Sequence, residues 1–416
     1  MSINPFEQKA PDIEKTIVDF KMLATKPYNK NTVDPYTRLR AILMNGTEYE
    51  MVWHGHAFSR RCGDNDLRRE LALVRRIEQQ QQKRIAALKP ANESILETTI
   101  GYEQLAVDLT ATLAVREKDK NVKAALDFAL LEDFDHLYRY ADLLEGERGI
   151  KAEKLVGKYT EIMPGRPTIA EHRHPYDDIR YHINNKQASL PTKLHIGIIT
   201  AAEQQTMNYY MNIGAFYDTE QGRRLYAEIG MIEEQHVTHY GSLMDTNATW
   251  LECWLMHEYL ECYLYYSCYS TETDARIKML WEELFEQELS HLQLAARMLR
   301  KYEKKSWQQV IPDPKFPSVL KLGPMKDYVR KIIASTVTLT GEKEGYVDID
   351  RVPHDAKFFE YQNSAVGHEK HVPTHAVIHN YIGQNGKDYR YQTAQHPIPE
   401  LRDRKADNTQ FARTRA

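Results

Sequence analysis

The sequence predicts an all-α protein: an antiparallel helix bundle with extra helices and mixed N- and C-terminal extensions. Three observations lead there. From Asp66 onward, apolar residues recur at offsets of three, four and seven over long stretches. Short polar turns separate those stretches, which forces antiparallel neighbours. An acid–acid–histidine pattern then recurs at one spacing: Glu103, Asp133 and His136; Glu203, Glu233 and His236; Glu258, Glu288 and His291. The differences 133 − 103, 233 − 203 and 288 − 258 are all 30, and each histidine follows its second acid by three.

Taken in order, residues 1–65 are interrupted by Pro, Asn and Gly and are expected to form an N-terminal extension. Leu67, Leu71, Val74 and Ile77 mark a helical face that carries the Gln run 79–82 and ends at Lys89-Pro90. A helix over 92–117 carries Glu103, the turn REKDKN follows, and a helix over 120–146 carries Asp133 and His136 before Gly146 and Gly149 close it. Residues 147–191 hold Pro164, Pro167, Pro175 and Pro191, lose the apolar period and are read as a long connection. Four helices follow over 192–217, 221–244, 248–270 and 273–303, joined by DTEQG, MDTNA and STETD. Past Trp307 the stretch IPDPKFP breaks the pattern. A short helix near 324–335, a hairpin in VTLTGEKEGYVDI and a Pro-, Arg- and Asn-rich tail complete the chain. The expected division is therefore 1–65, a bundle over 66–304, and an extension over 305–416.

Composition narrows the function classes. The 416 residues are 42% hydrophobic and 27% charged, as in a globular protein, and the formal net charge of −4 gives no general attraction to nucleic acid. The basic residues Arg402, Arg404, Lys405, Arg413 and Arg415 read as a solvated tail. No apolar run approaches the roughly 18–20 residues that span a bilayer, and the N-terminus lacks the apolar core of a secretory signal. Cys62, Cys253, Cys262 and Cys268 form no Cys-x-x-Cys pair, so no thiolate metal site is signalled and the cytoplasm is the expected compartment.

The acids fall on apolar stripes. Glu203 shares its stripe with Ile196, Ile199, Met207 and Tyr210; Glu233 and His236 with Tyr226, Ile229, Val237 and Tyr240. Glu258 lies with Leu251, Leu255, Cys262 and Tyr265, and Glu288 and His291 with Trp281, Leu284, Phe285 and Leu292. A buried carboxylate is strongly disfavoured unless paired or bound to a cation. The midpoints 118, 218 and 273 each fall in a turn, which would bring all the candidates into one layer. An oxygen-rich set with imidazoles suits iron or manganese better than zinc or copper. A lone Glu-x-x-His on a helix is ordinarily a surface feature, whereas two complete copies on apolar stripes are not. Asp133 is one methylene shorter than Glu, and Glu132 competes with it.

At these residues the chain resembles the ferritin-like superfamily of bacterioferritins, rubrerythrins and diiron carboxylate oxygenases. The segments AAEQQTMNYY…IGMIEEQHVTHY and HEYLECYLYY…LFEQELSHLQ carry the resemblance, which covers roughly 92–303. It implies that Glu203 and Glu258 are the lone Glu ligands, Glu233 and Glu288 the bridging ones, and His236 and His291 the imidazoles. The superfamily's long crossover joins its two hairpins, but here the long connection lies between His136 and Glu203. Two assemblies follow: 203–291 by completeness of ligands, and 103–236 by connectivity with 248–303 outside. Glu203, Glu233 and His236 belong to both, and a third arrangement has all three hairpins contributing.

The resemblance implies two iron ions, or a manganese–iron pair, reacting with O₂ or peroxide on a small-molecule substrate. The electron donor would be another protein, and a homodimer is implied by analogy. Iron handling or storage, and a helical interaction protein with an idle site, are the alternatives. Tyr210, Tyr240 and Tyr265 are read as core residues or as nearby donors of electrons and protons. His368, His371, His375 and His379 have near-helical spacing that Pro373 is expected to break, and His54, His56, His172 and His174 are read as loop residues. No phosphate loop, nucleophile elbow or nicotinamide fingerprint is visible.

Overall fold

The computed structural model describes residues 3–164, 171–334, 344–348, 351–367, 372–386, 388–390 and 411–415. Eight long helices dominate: α1 (Pro35–Arg61), α2 (Asn65–Ala86), α3 (Ile95–Arg116), α4 (Lys120–Arg148), α6 (Leu190–Phe216), α7 (Glu220–Gly241), α8 (Trp250–Thr271) and α9 (Ala275–Glu303). Shorter helices are α5 (Glu153–Val156), α10 (Lys326–Ala334), α11 (Lys357–Val366) and α12 (Pro373–Asn385). The one sheet among the described residues pairs β1 (Glu344–Asp348) with β2 (Phe411–Arg415), antiparallel. Of the hairpin expected in VTLTGEKEGYVDI, the described part, Glu344–Asp348, pairs with this distant strand; residues 337–343 and 349 lie outside the described residues. No described helix is long and apolar enough to cross a membrane.

Two local expectations are corrected. Residues 35–61, read as irregular, form the 27-residue α1. Asp34 caps it by accepting from the Tyr36 amide, and Pro35 takes the first helical position, where its missing N–H costs nothing. His54 and His56 accordingly lie on a helix and not in a loop. Pro373, read as a helix breaker, begins α12 for the same reason, with His375 and His379 on that helix; His368 and His371 lie outside the described residues.

The long helices form four hairpins, each with a three-residue turn: 62–64, 117–119, 217–219 and 272–274. The last residue of each turn caps the second helix: Asp64 on the Leu67 amide, Asp119 on Asn121 and Val122, Thr219 on Gly222, and Asp274 on Arg276 and Ile277. The hairpins also repeat as pairs. α1 and α6 are 27 residues long, α2 and α7 are 22, α3 and α8 are 22, and α4 and α9 are 29. The turn centres 63 and 218, and 118 and 273, are both 155 apart. The chain therefore contains two copies of a hairpin pair.

These copies are exchanged in space. The chain divides into two compact units. The first comprises Met1–Glu93, His182–Ala202 and Met244–Lys321; the second comprises Ser94–Tyr181, Glu203–Leu243 and Leu322–Ala416. The first unit joins hairpin α1–α2 to hairpin α8–α9, with α1 against α8 and α2 against α9. The second joins α3–α4 to α7 and the part of α6 from Glu203 onward, with α10 and α12 laid on α4. Each unit thus draws on both copies, the part of α6 before Glu203 being assigned to the first unit.

Candidate metal centres

Fifteen residues from each turn centre along both helices, an acid faces an acid. In the second unit this register brings Glu103 on α3, Asp133 and His136 on α4, Glu203 on α6, and Glu233 and His236 on α7 into one core cluster. All six are buried, none more than 1% exposed. Their ligand atoms form two groups, each within 4.8 Å: Asp133, Glu203, Glu233 and His236; and Glu103, His136 and Glu233. Glu233 belongs to both. Its Oε1 lies 3.0 Å from His136 Nδ1 and its Oε2 3.0 Å from His236 Nδ1. The other side of His236 meets Glu132 Oε2, 2.7 Å from Nε2, while Asp133 Oδ1 is 3.2 Å from Nδ1. Both carboxylate oxygens of Glu203 and Oε2 of Glu103 have no hydrogen-bond partner.

The grouped residues of the second unit are those of the assembly read from connectivity, with Asp133 in place of a glutamate; Glu258, Glu288 and His291 belong to the first unit. Among the described residues the candidates fall into separate groups, none of which mixes the two sets.

In the first unit, Glu258 on α8 and Glu288 and His291 on α9 meet Glu78 on α2, again within 4.8 Å. His291 Nδ1 is 2.8 Å from Glu78 Oε1 and 3.2 Å from Glu288 Oε2. A second group joins Glu48 on α1, Glu78 and Glu261. These six residues are 0% exposed. Gln81 Nε2 donates to Glu288 Oε1 at 2.6 Å.

Sequence reasoning missed Glu48, Glu78, Gln81 and Glu261. The signal was present: 78 − 48 = 30, and Gln81 stands three residues on, where the other copies have His. Glu48 was hidden because α1 buries polar residues on several sides, among them Arg38, Arg40 and Thr47, and shows no clean apolar stripe.

Burial sets the electrostatics of both clusters. It raises the pKa of Glu103 and Glu233 well above the ordinary carboxylate range, reinforced by neighbouring acids. Asp133 is pushed up to about 7 by burial and by Glu203, against the opposing pull of His236. Burial works against a charged His236, but Asp133, Glu132 and Glu203 outweigh it and raise its pKa. In the first unit burial raises Glu48, Glu78 and Glu261, and takes Glu258 to about 8; His291 rises to about 9 because Glu288 and its neighbours outweigh burial. Both cores therefore retain protons that a bound cation would displace.

Two of the four tyrosines on the candidate stripes hydrogen-bond the carboxylates. Tyr210 donates its hydroxyl to Glu103 Oε1 at 2.5 Å, and Tyr265 donates to Glu48. Tyr240 is buried with no hydrogen-bond partner for its hydroxyl. Trp254 Nε1 donates to Glu258. Beside the second unit's cluster, Arg139 is held between Asp135 and Glu171, the latter through two bonds of 2.9 and 3.0 Å. His172 lies in the connection before α6 and pairs with Glu228 at 3.2 Å.

No family model matches the chain, and neither the curated proteins nor the solved structures contain a match to it.

Proposed function

We propose that the second unit is a ferritin-like bundle whose six-residue set holds two metal ions, iron or a manganese–iron pair, for an oxidoreductase reaction with O₂ or peroxide. The single observation that carries this reading is Glu233. It belongs to two adjacent ligand groups, as a bridging carboxylate must, and each group contributes one histidine. Four acids and two imidazoles in a dry core match two cations in charge and in donor type, and suit iron or manganese.

When bound, the metal pair would supply electrons and Lewis acidity to the oxidant. The chain's own residues do the rest. Glu103, Asp133, Glu203 and Glu233 bind and cancel charge, and His136 and His236 provide the nitrogen donors. Glu132 orients His236 through Nε2. Tyr210 holds a proton at Glu103 Oε1, where it can be passed inward. Full burial of the set keeps bulk water from the reaction. No cysteine joins a candidate ligand group among the described residues, and a separate donor protein would supply the reducing equivalents.

The test is consumption of O₂ or peroxide by the iron-reconstituted full chain with a chemical reductant. Glu233→Ala and His236→Ala should abolish it with the helical circular dichroism retained. Activity that survives both would sink the proposal. Uptake of iron far beyond the few ions that such clusters can hold would favour storage instead.

A further inference from the structure

We propose that the first unit holds a second, separate metal centre, one of whose two positions is built of oxygen ligands alone and takes a hard divalent cation, Mn²⁺. The proposal does not depend on the reaction assigned to the second unit.

The 155-residue repeat relates the clusters residue by residue. Glu48 corresponds to Glu203, Glu78 to Glu233, Glu258 to Glu103, Glu288 to Asp133 and His291 to His136, since 203 − 48, 233 − 78, 258 − 103, 288 − 133 and 291 − 136 are all 155. Glu78 is shared between two ligand groups in the first unit, as its counterpart Glu233 is in the second. The acids here are more than a polar cluster. Oε2 of Glu48, Glu78 and Glu261 and Nε2 of His291 have no hydrogen-bond partner although their residues are 0% exposed. Polar atoms left so in a core need a ligand to satisfy them.

Two departures from the repeat decide what that ligand is. Gln81 stands where the second unit has His236, 155 residues on, which removes one nitrogen donor. Its amide instead steadies Glu288. Glu261 stands where the second unit has Ala106, again 155 residues away, and adds a carboxylate. One position therefore keeps a nitrogen, with Glu78, Glu258, Glu288 and His291. The other has Glu48, Glu78 and Glu261 and no nitrogen. Five carboxylates and one imidazole carry more charge and more hard oxygen than the second unit's four and two. Carboxylate-only sites favour Mn²⁺ and similar hard ions over ions that seek imidazole.

A cavity of about 130 Å³ in the same unit is lined by Glu50, His54, Cys253 and His257 among others, and His257 Nε2 lies 3.5 Å from Glu261 Oε1.

The experiment titrates the metal-free full chain with Mn²⁺ and reads bound ions by electron paramagnetic resonance. The second unit is silenced by Glu233→Ala with His236→Ala. Two Mn²⁺ per chain should remain, falling to one when Glu261→Ala is added. No bound Mn²⁺ in the silenced chain, or a count untouched by Glu261→Ala, would overturn the proposal. If the silenced chain does not fold, the count is read in the otherwise unaltered protein. There Glu261→Ala should remove one Mn²⁺ per chain, and an unchanged count overturns the proposal. Loss of peroxide or O₂ consumption in the second-unit variants is a separate readout, so either reading can fail alone.

Discussion

Replacing Glu258 by glutamine should strengthen the metal-free protein and weaken the metal-loaded one. Burial pushes the Glu258 pKa up to about 8 from an ordinary value near 4.5, with His291 opposing and Glu288 reinforcing. A folded value above the unfolded one means that the folded chain holds the extra proton. That contribution to stability is complete below pH 4.5 and is lost as pH rises towards 8. At about 1.4 kcal/mol per pH unit, this group alone removes about 4 kcal/mol from the metal-free protein by pH 7.5. Glutamine has no proton to lose, and its amide oxygen can still accept from Trp254 Nε1, which donates to Glu258 now. Chelated E258Q should therefore exceed the chelated parent by up to about 4 kcal/mol at pH 7.5 and by much less at pH 5. Adding metal in large excess should reverse the order. A full site contributes about 2.7 kcal/mol when free metal is a hundred times its dissociation constant and about 4.1 kcal/mol at a thousand times, so the reversal requires free metal above that thousandfold excess, and glutamine is the poorer ligand. The assay is urea denaturation followed by circular dichroism, at both pH values, with and without metal. An advantage of equal size at pH 5 and 7.5, or none at either, would refute the reasoning.

Arg139→Leu leaves Asp135 and Glu171 buried without their cation, and should cost about 3–5 kcal/mol in urea denaturation. Tyr210→Phe strips the donor from Glu103 Oε1; it should lower metal-free stability by about 1–3 kcal/mol while leaving the number of bound ions unchanged in elemental analysis. Gly222→Ala drives a methyl group into the Tyr217 ring, which packs 5.1 Å from Tyr226. The ring must shift, and a loss of about 1–3 kcal/mol is expected by thermal denaturation.

Where the sequence was strongly periodic, the helices were legible to within a few residues. The stretches 120–146 and 273–303 became α4 and α9, because three-residue turns and Asp caps bound them. The first helix was not legible. Asn45-Gly46 interrupts it, and its buried residues include Arg38, Arg40, Thr47 and Glu48 besides Leu39 and Met44, so no single apolar face announces it. The ligand pairs within a hairpin could be read from their distance to the turn. Which hairpins share a core could not, because that depends on long-range association and leaves no mark on spacing. Asp133 looked like a weakened copy beside the intact 258–291 set, yet it belongs to the set with both histidines. Gln81 disguised the fourth copy.

The exchange of hairpins has a consequence for synthesis on the ribosome. When the nascent chain has reached Gly149, it carries two of the five acids of the first unit's cluster, Glu48 and Glu78, and two of the four of the second unit's, Glu103 and Asp133. Their partners lie beyond Leu190. Helix α6 and then α7 emerge before α8 and α9, so the cluster containing Glu233 has all its ligands while the one containing Glu48 still waits. Glu48 and His291 are separated by most of the distance along the chain, and contacts so distant form late. Glu48 and Glu78, on the hairpin made first, therefore stay without their partners until α8 and α9 arrive.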